Sequence, residues 1–489
     1  METLQLLLLF IVFLSLSLLM FFRKIPALLA LPIMAFFLPV ISGVSVGNTV
    51  QWVMGMGSTR LSEAYTIAIF GSMISIMLQK TGVAEKFIKT GAELSGDKAW
   101  NISVFMLILV MLLFTTLGGL GAIIMVSTVV LPILAASGVA PVTVVGIFLL
   151  GLSIGGILNV GNWAVYTNVL HLQVAEVRSF ALVMFLITFI TALVYVTVEL
   201  YRGGHDINVK KISVFSVIGL VLFSIAAFLY PTIPPYSIDT VLFYLSGFYA
   251  FIKLMVALFI AIVMGYFLIR ILLRKTSEHI SGFAYLIPII PLLLILMFEM
   301  NFISAFITGL FYGFLTTYRK NSLNILIRSI LEGGSVVMPA VALMLGIGML
   351  LNAVMGPNVN FSEAYPDGWP VLILLKPVIA NIVPQSGFTY ILLFSLAAPL
   401  ALYRGPLNVW GMGYGIAAVL LASGLVPGAI MGLLLSVGQI QGISDPTNTQ
   451  NVWLGNEMRV DVQKILWNTL PYTWVIAILG LIVASVFYF

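Results

Sequence analysis

Charge is what this 489-residue chain has least of. Only 8% of it is Asp, Glu, Lys or Arg, while 61% is hydrophobic and the mean hydropathy is +1.16. An ordinary soluble protein carries about 25% charged residues, so this surface does not face water on all sides. A soluble globular protein is excluded, and a polytopic membrane protein with no room for a soluble domain is expected. Cysteine is absent, which removes disulfides, thiolate nucleophiles and Cys-based metal sites together. The three histidines, His171, His205 and His279, are too scattered for a zinc centre and receive no role. There is no G-x-x-x-x-G-K-[ST] phosphate loop, so ATP is not the expected energy source. Neither H-E-x-x-H nor paired aspartates occur, so an intramembrane enzyme is not expected, nor any cofactor. The excess of 22 basic over 17 acidic residues, a net charge of +5, is what the positive-inside rule produces and needs no nucleic acid.

Long hydrophobic runs are what the chain does have. A spanning helix needs about 20 mostly apolar residues. The runs 2–22, 25–44, 62–79, 100–117, 177–200, 212–230, 241–269, 282–298, 302–318, 330–355 and 471–489 qualify. Segments 118–175 and 371–458 are also hydrophobic but are broken by Gly, Pro, Asn and Gln, which brings the expectation to about 11–14 spans. The first run has an n-region, Met1-Glu2-Thr3, with no positive charge, and no small-residue cleavage site follows, so it reads as a span and not as a signal peptide. Arg23 and Lys24 place the amino terminus outside. The clusters Lys80–Lys98, Arg202–Lys211, Arg270–Lys275 and Arg319–Arg328 then all fall inside, while Glu363 and Asp367 fall outside.

Residues 119–162 and 405–448 align without a gap at an offset of 286. Ala136-Ser137-Gly138-x-x-Pro141 matches Ala422-Ser423-Gly424-x-x-Pro427, Gly146 matches Gly432, Gly156 matches Gly442, and Asn162 matches Asn448. The span before the first copy runs from outside to inside, and its counterpart 330–355 runs the other way. Two similar halves of opposite orientation form an inverted-topology repeat, the ground plan of many secondary transporters, with binding near the midplane where the repeats meet. The expected organisation is residues 1–61 as amino-terminal scaffold helices, 62–202 as the first repeat, 203–329 as linking and scaffold helices, and 330–489 as the second repeat. Gly151-x-x-x-Gly155, Gly428-x-x-x-Gly432 and Gly438-x-x-x-Gly442 also suit close helix packing alone.

Backbone that leaves the helix at membrane depth lines a cavity or is buried in protein, so the breaks locate the candidate site. The earlier pair is Thr115-Thr116-Leu117-Gly118-Gly119-Leu120-Gly121 and Tyr403-Arg404-Gly405-Pro406-Leu407-Asn408. Helix starts at Gly119 and Gly405 present N–H groups that attract anions, and Arg404 adds a planar, permanently charged fork suited to a carboxylate; a surface position as an orientation signal is the competing reading for Arg404. The later pair is Asn159 to Asn168 and Gln439 to Asn451. It offers the amide and hydroxyl oxygens of Asn159, Asn162, Ser444, Thr447, Asn448 and Thr449, which suit Na⁺. Asp445 is an acidic residue in an embedded break, expected to carry a proton or complete a cation site. Asp-Pro and Asn-rich strings are also ordinary turn chemistry. Glu199 and Glu299 sit near span ends and are expected at the membrane interface.

The chain resembles the ion transporter superfamily, which holds carriers for citrate, gluconate, dicarboxylates and other anions. The resemblance covers most of the chain and rests on Gly71 and Thr81-Gly82, the Gly118-Gly119-Leu120-Gly121 break and the paired Ser-Gly-x-x-Pro stretches. Thr447-Asn448-Thr449 is similar to the Ser-Asn-Thr motif of the divalent-anion/Na⁺ branch, while the first copy departs from it with Gly161-Asn162-Trp163. The resemblance implies two re-entrant hairpins with broken helices, hairpin-tip roles in carboxylate and sodium binding for Thr447, Asn448 and Thr449 with Asn162 as their symmetry mate, a dimerising scaffold, and a transport domain that moves like an elevator. The expected function is Na⁺- or H⁺-coupled symport of a small organic anion across the plasma (inner) membrane by a homodimer. Its anion would meet Gly119, Asn162, Arg404, Gly405, Thr447, Asn448 and Thr449, and its coupling cation Asn159, Thr115, Ser444 and Asp445, with no metal beyond Na⁺. A Na⁺/H⁺ antiporter of the same superfamily is the alternative, and a channel a more distant one.

Overall fold

In a hydrocarbon environment every backbone N–H and C=O must be satisfied within the protein, which leaves helices as the way for these apolar runs to cross. The computed structural model describes residues 2–22, 24–206, 235–273, 280–379, 383–409 and 413–489, and among them it is all helical. The helices are α1 (Glu2–Phe21), α2 (Ala27–Ile41), α3 (Ser62–Thr81), α4 (Val83–Leu94), α5 (Ala99–Phe114), α6 (Gly119–Ala136), α7 (Pro141–Leu158), α8 (Val160–Leu170) and α9 (Val174–Arg202). The second part of the chain adds α10 (Pro235–Leu272), α11 (Ile290–Phe298), α12 (Phe302–Thr316), α13 (Ser322–Met355), α14 (Pro370–Ile379) and α15 (Gly387–Ala397), which tightens into a 3₁₀ segment, Ala398–Arg404. It ends with α16 (Tyr414–Ala422), α17 (Pro427–Ser444), α18 (Thr449–Glu457) and α19 (Val462–Tyr488). Nine helical stretches among the described residues are long and apolar enough to cross a membrane. The protein is an all-α polytopic membrane protein.

Run 212–230 and residues Arg23, Lys210, Lys211, Arg274, Lys275 and His279 lie outside the described residues. Several spans differ from expectation: run 62–79 continues helical turns that start at Val46, run 471–489 begins at Val462, and two further differences have identifiable reasons. Run 282–298 divides into a 3₁₀ turn, Gly282–Leu286, and α11, because Pro288 and Pro291 interrupt its hydrogen-bond ladder. Run 330–355 starts a full two turns earlier, at Ser322, where a polar stretch continues the helix beyond its apolar core.

Glycines set the close approaches. A Cβ on Gly151 would lie 2.9 Å from the Leu107 carbonyl oxygen, and one on Gly155 would lie 2.6 Å from that of Met111. Both contacts advance along the chain together, so α5 and α7 run side by side in the same direction and α6 is the return leg of a hairpin whose tip is 115–118. A second set of contacts has the same sense. The Tyr390 hydroxyl donates to the Ala429 carbonyl (2.7 Å) and the Tyr403 N–H to Asp445 Oδ1 (3.0 Å), so α15 and α17 are also parallel neighbours. Pro427 and Ser444, the ends of α17, stand 286 residues after Pro141 and Leu158, the ends of α7.

Helices α3 and α13 pack the opposite way. A Cβ on Gly57, just before α3, would come within 2.7 Å of Met349 Cα, and one on Gly333 within 2.8 Å of Met73 Cα. The Arg60 guanidinium donates to Asn352 Oδ1 (2.7 Å) at one end of this antiparallel pair, and Lys80 meets Glu332 (2.8 Å) at the other. Glu199, near the end of α9, is buried within the protein: its carboxylate accepts from Arg202 Nη1 (2.9 Å), the Tyr472 hydroxyl (2.9 Å) and Asn468 Nδ2 (2.8 Å), tying the end of α9 to α19. Three charge-assisted donors compensate the carboxylate's desolvation.

Candidate functional site

Each half of the chain brings two breaks together, because the parallel course of α5 with α7, and of α15 with α17, sets their carboxyl ends side by side. Asn159 ends α7 and caps α8, its Oδ1 accepting from the Gly161 N–H at 2.9 Å. Its amide nitrogen donates back to the carbonyls of Phe114 (3.3 Å) and Leu117 (3.4 Å) at the hairpin tip. Asp445 occupies the same place in the second half with the opposite hydrogen-bond sense. It accepts from the N–H groups of Tyr403 (3.0 Å), Arg404 (3.4 Å) and Thr447 (2.9 Å), from the Thr447 hydroxyl (2.8 Å), and from Asn408 Nδ2 (3.4 Å). Tyr403 and Arg404 both have positive φ, 54° and 57°, and this turn points their N–H groups at the carboxylate as an anion-binding nest. Asp445 is fully buried, and its charge is matched from within the protein.

The terminal carbonyls of α7 and α17 would be orphaned at these breaks. Side chains further along answer them. Asn162 Nδ2 donates to the Gly156 carbonyl (2.8 Å), Trp163 Nε1 to that of Ile157 (2.7 Å), Asn448 Nδ2 to that of Gln441, and Asn451 Nδ2 to that of Ile443 (2.7 Å). The amide-rich strings legible in the sequence are therefore partly spoken for by the backbone they interrupt.

Between the two sets of breaks lies a cavity of about 690 Å³. Residues from both halves line it, including Gly118, Asn159, Asn162, Arg404, Gln439 and Asn448. Arg404 is the one charged side chain among the described residues of the lining, and its guanidinium makes no hydrogen bond or ion pair among them. The lining is otherwise carboxamide, hydroxyl, backbone and apolar surface. At its centre the Ser153 hydroxyl donates to Gln439 Oε1 at 2.6 Å. No protein-family model and no curated protein matches the chain. The site is therefore read from its own geometry.

Of the residues expected to meet the anion, Gly119, Asn162, Arg404, Asn448 and Thr449 line the cavity. Gly405 does not: it is buried under the Leu400 carbonyl in the turn that follows the 3₁₀ segment. Thr447 faces a second, smaller pocket with Tyr403 and Pro446, on the far side of the Asp445 turn. Thr447, Asn448 and Thr449 sit at the break between α17 and α18. Of the residues expected to meet the cation, only Asn159 lines the cavity. The Thr115 hydroxyl is bonded to the carbonyls of Leu112 (2.7 Å) and Pro288 (3.3 Å), and that of Ser444 to Thr469 (2.8 Å) and Thr473 (2.9 Å).

Five residues to which the sequence reading gave no individual role matter here. Tyr166 and Gln441 line the cavity, Ser153 and Gln439 bridge it, and only the fold brings them there. Thr116, next to Thr115, has a buried hydroxyl with no hydrogen-bond partner, and its carbonyl lies 3.1 Å from where a Cβ on Gly71 would stand.

Proposed function

We propose that the protein is a secondary active transporter that carries a small organic anion, such as a carboxylate, together with Na⁺ or H⁺. One observation carries this reading: a cavity of about 690 Å³ between two pairs of helix breaks, with one arginine that has no ion pair among the described residues set among side-chain amides and hydroxyls. Arg404 is exposed, and a guanidinium free of carboxylate partners among the described residues favours an anionic ligand. The amide oxygens of Asn162 and Asn448 and the hydroxyls of Tyr166 and Thr449 have no hydrogen-bond partner among the described residues and are available to orient it. The coupling cation, as a cargo, calls for oxygen ligands, and the Thr116 hydroxyl is one that the fold leaves over.

The repeat reading is supported by the shared offset of 286 in α7 and α17 and by the antiparallel packing of α3 on α13, which is what two halves of opposite orientation require. The wider proposal follows that ground plan: re-entrant hairpins and a moving transport domain carried against a dimeric scaffold in the plasma membrane. A Na⁺/H⁺ antiporter is less well supported, since it needs a titrating carboxylate in the site and none lines the cavity among the described residues. The test is the apparent melting temperature of the detergent-purified protein against a panel of carboxylates, in NaCl or KCl at matched ionic strength. Ligands that bind only the folded state raise it by mass action. A carboxylate shift that grows in sodium supports symport, and Arg404→Gln should abolish the carboxylate shift while leaving the ligand-free value near wild type. A sodium shift with no carboxylate effect would refute the symport reading in favour of the antiporter.

A further inference from the structure

The two halves of the cavity are alike in shape but not in charge, and the difference lies at one pair of positions. Ser153 and Gln439 are 286 residues apart and hydrogen-bonded to each other at 2.6 Å. A residue touches its own repeat counterpart only near the axis that relates the repeats, so this axis passes through the cavity. Position 404 is the counterpart of position 118. Both line the cavity, on opposite sides of the Ser153–Gln439 bridge in the chain's symmetry, one an arginine and the other a glycine. Asp445 does not offset the arginine within the lining: it is fully buried and turned onto backbone N–H groups.

From this, and resting on the anion-binding reading above, we infer that the substrate is a monoanion with one charged end and one neutral end, and that Gly118 is the position that excludes a second charge. The charged end meets Arg404 in the second half. The other end meets the Gly118–Gly119 turn, where Leu117, Leu120 and Val336 supply apolar surface and nothing supplies a countercharge. A second carboxylate there would have no cationic partner among the described residues, whereas the first is matched by Arg404. Gly118 is also free to become a larger residue. A Cβ there meets nothing within 4 Å, and its φ of −156° is extended backbone open to any side chain.

The experiment uses full-length purified protein and dicarboxylates of four to six carbons, each paired with its own half-amide, with binding followed by calorimetry and thermal shift. The wild type should bind a half-amide more tightly than the parent dicarboxylate, because only one of the two charges finds a cation. Gly118→Arg should reverse that order. Arg404→Gly should lose both ligands, and the double variant Gly118→Arg/Arg404→Gly should recover the half-amide with the charge now on the other side. That rescue separates charge recognition from a structural role for Arg404. Where Gly118→Arg does not fold, Gly118→Lys makes the same test. Equal or tighter binding of dicarboxylates by the wild type, or an unchanged order in Gly118→Arg, overturns the inference while leaving anion binding intact. Failure of every carboxylate to bind overturns the anion reading itself, and this inference with it.

Discussion

Asp445→Ala probes the break in the second half most directly, because the structure gives this carboxylate a job other than ion coupling. Three of its contacts are short: the N–H of Tyr403 at 3.0 Å, the N–H of Thr447 at 2.9 Å and the Thr447 hydroxyl at 2.8 Å. At about 1.5 kcal/mol for each hydrogen bond to a charged acceptor, truncation costs about 4–5 kcal/mol, in line with the loss of one partner from a buried charge cluster. Asp445→Asn keeps one acceptor oxygen for Tyr403 and Thr447 and turns an amide onto the remaining donors, so it should cost about 1–2 kcal/mol. The matching change in the first half, Asn159→Ala, removes one short neutral bond, from the Gly161 N–H at 2.9 Å, and should cost only about 1 kcal/mol. The assay is the apparent melting temperature of each variant in detergent without ligand. The expected order of loss is Asp445→Ala, then Asp445→Asn, then Asn159→Ala. If Asp445→Ala melts with the wild type and has lost a sodium-dependent shift, Asp445 is a cation ligand and the brace argument is wrong.

Other consequences are open to the same assay. Gly155→Ala drives a methyl to 2.6 Å from the Met111 carbonyl, against backbone that cannot rotate away, and should cost about 1–3 kcal/mol. Glu199→Ala strands Arg202, Tyr472 and Asn468 at the α9–α19 contact and should lower stability by about 3 kcal/mol, whereas a wild-type melting temperature would show that this network is exposed to solvent. Ser153→Ala leaves the Gln439 carboxamide oxygen short of its donor and should cost about 1 kcal/mol, with Gln439→Met added to Ser153→Ala costing little more.

Hydropathy placed the spanning helices well, because length and apolar content are local properties of the chain. It misjudged the ends where polarity and helix part company: the polar start of α13 at Ser322 continues a helix that hydropathy begins at 330, and the prolines of 288 and 291 break a run that hydropathy joins. The register proposed from Gly, Pro and Asn positions led to Asn159, Asn162, Arg404 and Asn448, all of which line the cavity. It could not say which way a side chain turns within a break. Thr115 and Thr116 are neighbours, yet one hydroxyl is bonded to carbonyls and the other has no partner. Asp445 shows the same limit from the other side. An acidic residue in an apolar run reads as a functional charge, and only the fold reveals donors from residues up to 42 positions away that satisfy it.

The seam between α3 and α13 has a consequence for inheritance. At Gly57 and Gly333 backbone meets backbone with no side chain between, and glycine is already the smallest residue the code can write. Every missense change at those codons therefore adds atoms, and all of them act in one direction, wedging the halves apart. Elsewhere in a helical protein a core position can drift through Ala, Val, Leu and Ile and be compensated across the gap. Here there is no neighbour to shrink in return, so the spacing of the two halves is a quantity that mutation can increase but not restore.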